Sequence, residues 1–386
     1  MSLPTNKLAY PVYPPACIGI LGGGQLGRML AMVAKQMGYQ VAILEPDEDC
    51  PAKYFADIHI KKAYTDQEGL NQLASIAKVV TTEFENVPAQ TIDFLTNHNC
   101  PTFPKANAVT IAQNRLKEKS FFRSIGLATA EFAAIQTIED CTQIDESFFP
   151  AILKTTTQGY DGKGQRRVKD ILELKKAYQE LGGECILEQI VPLAKEVSII
   201  VARNQHGVIT YPLIENEHVN GILDLSTIPA QVTDEIAVKA QKAATTMVES
   251  LEYIGILTIE FFITVNGELL VNEIAPRPHN SGHITIEASI TSQFEQQLRA
   301  VCGLPLGSTT AKLPGMMLNL LGDIWQNNTG PLAEIIGFNP NLKLHWYEKL
   351  GAKPGRKMGH VSIVGENLST LRETLLDLKK HLKINF

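Results

Sequence analysis

The stretch TIEFFITVNGELLVNEIAPRPHNSG, residues 258–282, decides how this chain is read. Two apolar runs flank Val265-Asn266-Gly267, and Asn-Gly between such runs marks a β-hairpin. Counting outward from the turn brings Glu260 and Glu273 to nearly opposite positions on the paired strands. Like charges facing each other across strands are destabilising unless something neutralises them. Magnesium suits such a pair: it takes few carboxylates, keeps waters and bridges substrate phosphates. Asn272 offers a further oxygen beside Glu273. The alternative is a solvent-facing hairpin, against which both acids sit in very apolar strands. Directly after the hairpin, Arg277, His279, Asn280, Ser281 and His283 crowd one Pro- and Gly-rich loop. Such a density of donors beside a metal suits an anion or a substrate.

Working upstream, LKTTTQGYDGKGQ (residues 153–165) carries Lys154 on a strand that runs into Gly159, Gly162 and Gly164. A glycine-rich hairpin can fold over phosphates and offer N–H donors, with Lys154 and Lys163 adding positive charge. It is not a P-loop, since no GK[ST] follows at the required spacing. An ordinary mobile hairpin is the alternative. ILEQIVPLAKEVSIIVAR (residues 186–203) follows, with Glu188 and Val191 read as ending one strand and Glu196 as beginning another. A carboxylate exposed at a strand end is usually just solvated, but it can also accept the ribose hydroxyls of a nucleotide. Downstream, WYEKLGAKPGRKMGHV (residues 346–361) places Lys349, Arg356 and Lys357 between glycines, either a solvated basic face or a phosphate-binding turn.

The N-terminal region reads differently. IGILGGGQLGRMLAMVAKQMGYQVAILEP (residues 18–46) holds Gly22-x-Gly24-x-x-Gly27 and then Glu45 at the end of a second apolar run. That is a dinucleotide-binding fingerprint within a βαβ unit. The run KVVTT (residues 78–82) adds another short strand, so an open parallel α/β sheet is expected through about residue 110. From Ala151 the chain turns strand-rich, with a helix over residues 233–253, and reads as an antiparallel α+β region. Short strands and a helix over residues 368–382 close it.

The whole chain has 386 residues, 44% hydrophobic and 20% charged, with net charge −6. This is the profile of a soluble globular protein with two or three domains, and nothing in it suggests a nucleic-acid or membrane partner. Six scattered cysteines without a CxxC argue against a disulfide scaffold or a cysteine metal site and for a reducing, cytoplasmic setting. The proline-bearing start is expected to be an extended arm rather than a signal peptide or membrane span.

Together these motifs resemble the ATP-grasp carboxylate–amine ligases, and within them the 5-(carboxyamino)imidazole ribonucleotide synthetases of purine biosynthesis. The resemblance spans nearly the whole chain through GILGGGQLGRML, TEFENV, QNRLKEK, GYDGKGQ, EQIVPLAKEVSIIVAR, TIEFF, NEIAPRPHNSGH and WYEKLGAKPGRKMGHV. It departs at the N-terminal arm and at Gln158, where many relatives have glycine. It implies a three-domain architecture: a Rossmann-like domain over residues 1–112, an ATP-grasp domain with a glycine-rich lid over 113–312, and a small C-terminal domain over 313–386. It also implies a cytoplasmic homodimer.

The implied reaction joins ATP, bicarbonate and 5-aminoimidazole ribonucleotide, through carboxyphosphate, with two magnesium ions at Glu260 and Glu273. The implied ATP site comprises Arg115, Lys154, Gly159, Tyr160, Asp161, Gly162, Lys163, Gly164, Gln165, Glu188, Gln189, Ile190, Val191, Glu196, His218, Asn272 and Glu273. Arg277 and His279, with Lys154, are the implied catalytic groups, the first two holding bicarbonate and carboxyphosphate. Asn280 and Ser281 are expected to contact the ribonucleotide, and Lys349 and Arg356 to clamp its 5′-phosphate. Glu83 and Asp161 are candidates for the amine or the ribose hydroxyls. With ATP placed later in the chain, the free N–H groups at Gly24, Gln25 and Leu26 are expected to face the ribonucleotide phosphate, and Glu45 is left without a role.

The rivals are a formate-dependent transformylase or a biotin carboxylase of the same superfamily, an NAD-dependent oxidoreductase, and a non-catalytic nucleotide-binding regulator. The oxidoreductase leaves everything after residue 150 unexplained, and a regulator would be expected to lose Glu260, Glu273 or Arg277.

Overall fold

The computed structural model describes residues 11–157, 164–325 and 330–384. Gly159, Tyr160, Asp161, Gly162 and Lys163 of the glycine-rich hairpin therefore lie outside the described residues.

Three sheets organise the chain. The first is parallel, with strands β1 (Cys17–Leu21), β2 (Gln40–Leu44), β3 (Ile58–Ile60), β4 (Val79–Thr82) and β5 (Thr102–Phe103) in the order β3-β2-β1-β4-β5. Its central strand β1 is buried along its full length, as expected for a strand covered on both faces. The helix Gln25–Gln36 lies over it, with Leu26, Met29 and Leu30 turned inward.

The second sheet is antiparallel and small: β6 (Phe132–Ile135), β7 (Ala151–Thr155), β8 (Gln165–Val168) and β9 (Cys185–Gln189), in the order β6-β9-β7-β8. The β7–β8 pair puts Lys154 opposite Gln165. The third sheet has nine strands: β10 (Leu193–Asn204), β11 (Gly207–Thr210), β12 (Ile214–Val219), β13 (Ile222–Ile228), β14 (Gly255–Thr264), β15 (Leu269–Ala275), β16 (Gly315–Leu321), β17 (Lys343–Trp346) and β18 (Lys357–Val364). It runs β15-β14-β10-β12-β13-β16-β18-β17, with β11 beside β10. The C-terminal strands thus continue this sheet through the β13–β16 pairing instead of forming one of their own. A helix over Asp234–Ser250, capped by Thr233, packs its apolar face into the largest core. The closing helix is Leu368–His381.

All six cysteines are buried thiols. Among the described residues no helix is long and apolar enough to cross a membrane.

Candidate active site

The β14–β15 hairpin is the floor of the site. Its tight connection carries Gly267 at φ +79°, and the resulting register sets Glu260 directly opposite Glu273. An irregularity follows Glu260, where Phe261 pairs with Val271 and Asn272 is the extra residue. Burial, then the Glu273 charge, pushes the Glu260 carboxyl up to about 8. The pair is therefore costly as it stands and favours a cation.

The helix Arg115–Ser124 delivers three charged groups to this floor. Asn114 caps it, accepting from the N–H groups of Leu116 at 3.1 Å and Lys117 at 3.0 Å. That start puts positions 115, 118 and 119 on one face. Arg115 Nη1 donates to Glu273 Oε2 at 3.1 Å. Glu118 Oε1 accepts from the Ile274 N–H at 2.8 Å, just past the irregularity. Burial, then Glu273, raises the Glu118 carboxyl to about 8. Lys119 is buried; its Nζ donates to Thr129 Oγ1 at 3.1 Å and stands 3.6 Å from Glu188 Oε2.

Glu188 corrects a sequence expectation. It does not sit exposed at a strand end but is 3% exposed on β9, an interior strand of its sheet. Its Oε2 also accepts from Lys154 Nζ at 2.9 Å. Burial alone would raise its carboxyl, but Lys119 and Lys154 outweigh that and hold it at about 2. Gln189 ends β9, and Ile190 and Val191 follow it, half-buried, rather than extending the strand. Glu196 lies inside β10 rather than at its start, and its Oε2 is 2.8 Å from His218 Nδ1 on β12.

The loop after β15 closes one side. Arg277 Nε donates to Glu85 in a close ion pair. His279 has Nε2 3.2 Å from Glu260 Oε1 and Nδ1 2.9 Å from Ser281 Oγ. Burial, then the charges of Arg277, Lys357 and His218, holds its pKa well below the usual range, so the ring is neutral. Gln293 grips this residue's main chain, accepting from His279 N at 2.9 Å and donating to its carbonyl at 2.7 Å. Asn280 is buried with both amide atoms unpartnered, a side chain ready for a ligand. Ser281 departs from expectation: it is fully buried, and its hydroxyl is engaged by His279 and Ser198 rather than facing a substrate.

The glycine turn also departs from it. Gly22 takes φ +111°, and a Cβ there would lie 2.3 Å from Glu83 Cγ, so glycine is required. The N–H groups of Gly24 and Gly27 are not free: Glu83 accepts both, at 2.9 and 3.0 Å. Gly23 N–H goes to Glu45 Oε2 at 2.8 Å, and Glu45 also accepts from Tyr64 Oη at 2.5 Å and Asp47 N at 3.0 Å. Glu45 thus has a role, holding the turn from inside. The turn does bind anions, and they are carboxylates of this chain. Arg28, one turn into the following helix, pairs with Glu348 and so ties this turn to the C-terminal loop. In that loop Lys349 Nζ donates to Lys357 O at 2.9 Å, and Arg356 Nη1 donates to Gly351 O at 2.8 Å.

The structure therefore brings together Arg115, Lys154, Glu188, Glu260, Glu273 and His279. Sequence reasoning missed Glu118, Lys119, Glu85 and Gln293. The first two lie in the QNRLKEK run and Glu85 in TEFENV, both quoted for the resemblance, but nothing local marks their partners.

The donor set fits magnesium: two opposed carboxylates, hard oxygen ligands, one of them raised by burial and then by its neighbour. Among the described residues no group of three or more His, Cys, Asp or Glu side chains could hold a metal ion by itself. Two carboxylates, with waters and phosphates completing the shell, is the pattern for magnesium.

Known proteins match along this same frame. Residues 16–113 match the ribonucleotide synthetase preATP-grasp domain, 120–294 the ATP-grasp domain, and 315–374 the phosphoribosylaminoimidazole carboxylase C-terminal domain. The N5-carboxyaminoimidazole ribonucleotide synthase of Bacillus subtilis is 44% identical over 92% of each chain. That of Pseudomonas aeruginosa is 42% identical over 94% of this chain and 98% of its own. The solved N5-carboxyaminoimidazole synthetase of Staphylococcus aureus complexed with ADP has TM-score 0.89 at 37% identity, covering 97% of this chain and 98% of that one. The Aspergillus clavatus synthase, solved with ADP and 5-aminoimidazole ribonucleotide, has TM-score 0.88 at 30% identity over 95% and 98%.

Proposed function

The chain belongs to the N5-carboxyaminoimidazole ribonucleotide synthase family and is an ATP-grasp ligase that carboxylates 5-aminoimidazole ribonucleotide in purine biosynthesis; we propose how its residues divide that work. The observation that carries the reading is the opposed pair Glu260 and Glu273, set between the Lys154–Glu188 pair and the Arg277–His279 loop.

Bicarbonate is a poor electrophile because hydroxide is a poor leaving group. Transfer of the γ-phosphoryl group of ATP to a bicarbonate oxygen gives carboxyphosphate and ADP. The exocyclic amine of the ribonucleotide then forms the C–N bond as the C–O bond to phosphate breaks, directly or by way of released CO2, and the amine loses a proton. Phosphoryl transfer of this kind rests on positioning and charge neutralisation. Glu260 and Glu273, with Asn272 beside them, would hold the two magnesium ions of this reading, which when bound supply positive charge along the phosphates.

Lys154, Arg115, Glu196 and His218 hold ATP in this reading, together with Gln165 and the 188–191 segment. Glu188 holds Lys154 Nζ in place by accepting from it at 2.9 Å. Arg277 and His279 hold bicarbonate and carboxyphosphate. Asn280, with its unpartnered amide, contacts the ribonucleotide, and Lys349 and Arg356 release their carbonyl partners to take its 5′-phosphate. The glycine turn takes no phosphate in this reading, since Glu83 holds the Gly24 and Gly27 N–H groups and the Leu26 side chain packs in the core. The reading includes a cytoplasmic homodimer, supported by family resemblance.

The test is phosphate release from ATP with each substrate omitted in turn. Full rate is expected only with both bicarbonate and 5-aminoimidazole ribonucleotide. Full rate with formate and a glycinamide ribonucleotide instead would overturn the assignment.

A further inference from the structure

A buried chain of hydrogen bonds runs from the middle of the nine-stranded sheet to the active-site loop. Ser226 Oγ on β13 lies 3.0 Å from Asn216 Oδ1 on β12. Asn216 Nδ2 lies 2.9 Å from Ser198 Oγ on β10. Ser198 Oγ lies 2.8 Å from Ser281 Oγ, and Ser281 Oγ lies 2.9 Å from His279 Nδ1. The three serines are 0% exposed and Asn216 is 6% exposed, so bulk water cannot stand in for a missing donor.

The direction of this chain is fixed by counting protons. An amide nitrogen only donates, so Ser198 accepts from Asn216. The single Ser198 hydroxyl proton is then left for Ser281. The Ser281 hydroxyl proton is left in turn for His279 Nδ1, which must be the bare nitrogen of the neutral ring. The other end of the chain asks for the same arrangement. The Ser281 N–H points at Nδ1 at 3.4 Å. Rotating the Asn216 amide would reverse every bond and set an N–H against an N–H at Nδ1.

We infer that Asn216, through Ser198 and Ser281, is a positioning residue that sets the His279 proton on Nε2, so that the site presents a hydrogen-bond donor rather than a base beside Glu260. An outer partner that fixes an imidazole tautomer is a recurrent means of tuning a site. The consequence for catalysis rests on the reading of His279 as an active-site group; the proton's position does not.

The experiment uses the full chain carrying nitrogen-15 histidine, with His279→Gln assigning the resonance. Proton–nitrogen correlation spectra of the unliganded protein are expected to show Nε2 protonated and Nδ1 bare. Asn216→Asp in its ionised form can only accept, so at a pH where it is ionised it reverses the chain and moves the His279 proton to Nδ1. Ser198→Ala removes the direction without adding a charge, leaves the Ser281 N–H as the remaining bias and raises the fraction protonated on Nδ1, which keeps the test open if Asn216→Asp fails to fold. Because an outer partner is lost, kcat should fall about tenfold while KM for ATP stays constant. A wild-type His279 protonated on Nδ1, or a tautomer that neither variant moves, overturns the inference. A shifted tautomer with unchanged kcat removes its catalytic consequence. A wild type that carboxylates nothing would instead sink the functional reading, and the spectra would still decide where the proton sits.

Discussion

The glycine turn after β1 and the hairpin of β14 and β15 both advertise a phosphate site, and the structure treats them oppositely. At the turn, the N–H groups are answered from within, by Glu83 at Gly24 and Gly27 and by Glu45 at Gly23. At the hairpin, two carboxylates are brought face to face, with one oxygen of Glu273 meeting Arg115 and one of Glu260 meeting a neutral histidine. The first region is satisfied and works as architecture. The second stores electrostatic cost and works as a site.

The sharpest way to break this contrast is to exchange charge for amide in each region. Glu273→Gln should lower the rate of phosphate release by about 10²–10³-fold, while in the melting temperature the relief of Glu260 and the loss of the Arg115 ion pair oppose each other. A variant that is equally active would remove the hairpin from the chemistry. Lys119→Met comes next and acts on stability. It leaves Glu188 buried with Lys154 as its remaining cationic partner, and denaturant titration should show a loss of about 3 kcal/mol. Glu45→Gln is milder: it weakens the hold on Gly23 and costs about 1–2 kcal/mol, with kcat unchanged. A large loss of kcat there would mean the turn is more than architecture.

A different kind of effect is a slope with pH. Glu118 titrates near 8 when folded and near the ordinary glutamate value of about 4.3 when unfolded. Between those values the folded state holds a proton that the unfolded state has lost. Stability of the unliganded protein should therefore fall as pH rises from about 4 to 8. Glu260 is raised to the same value, so Glu118→Gln should reduce that slope without abolishing it, as read from melting temperature against pH. Glu188 works the other way. Its depressed carboxyl contributes stability above the unfolded value that is lost only as pH falls towards about 2.

What was legible in the sequence was whatever depends on short range. The Asn-Gly turn fixed the count that put Glu260 opposite Glu273, and the alternation of apolar runs and glycines disclosed the parallel sheet. Illegible were the partners that arrive from far along the chain. Glu45 is 22 residues from Gly23, and Glu83 is 59 from Gly24, so an unoccupied turn and an internally capped one read identically. Glu188 looked like a strand-end acid because nothing local shows that β9 is an interior strand, flanked by β6 and β7. Ser281 looked like a substrate contact because a polar loop residue is usually exposed, whereas here the loop folds into a short 3-10 turn packed beneath the sheet.

The most direct measurement is a crystal structure of this chain with ADP and 5-aminoimidazole ribonucleotide. ADP is expected between the β7–β9 strands and β15, with its phosphates directed at Lys154 and the Glu260–Glu273 pair, and the ribonucleotide beside Asn280. A nucleotide whose phosphates displace Glu83 or Glu45 from the glycine turn would contradict it.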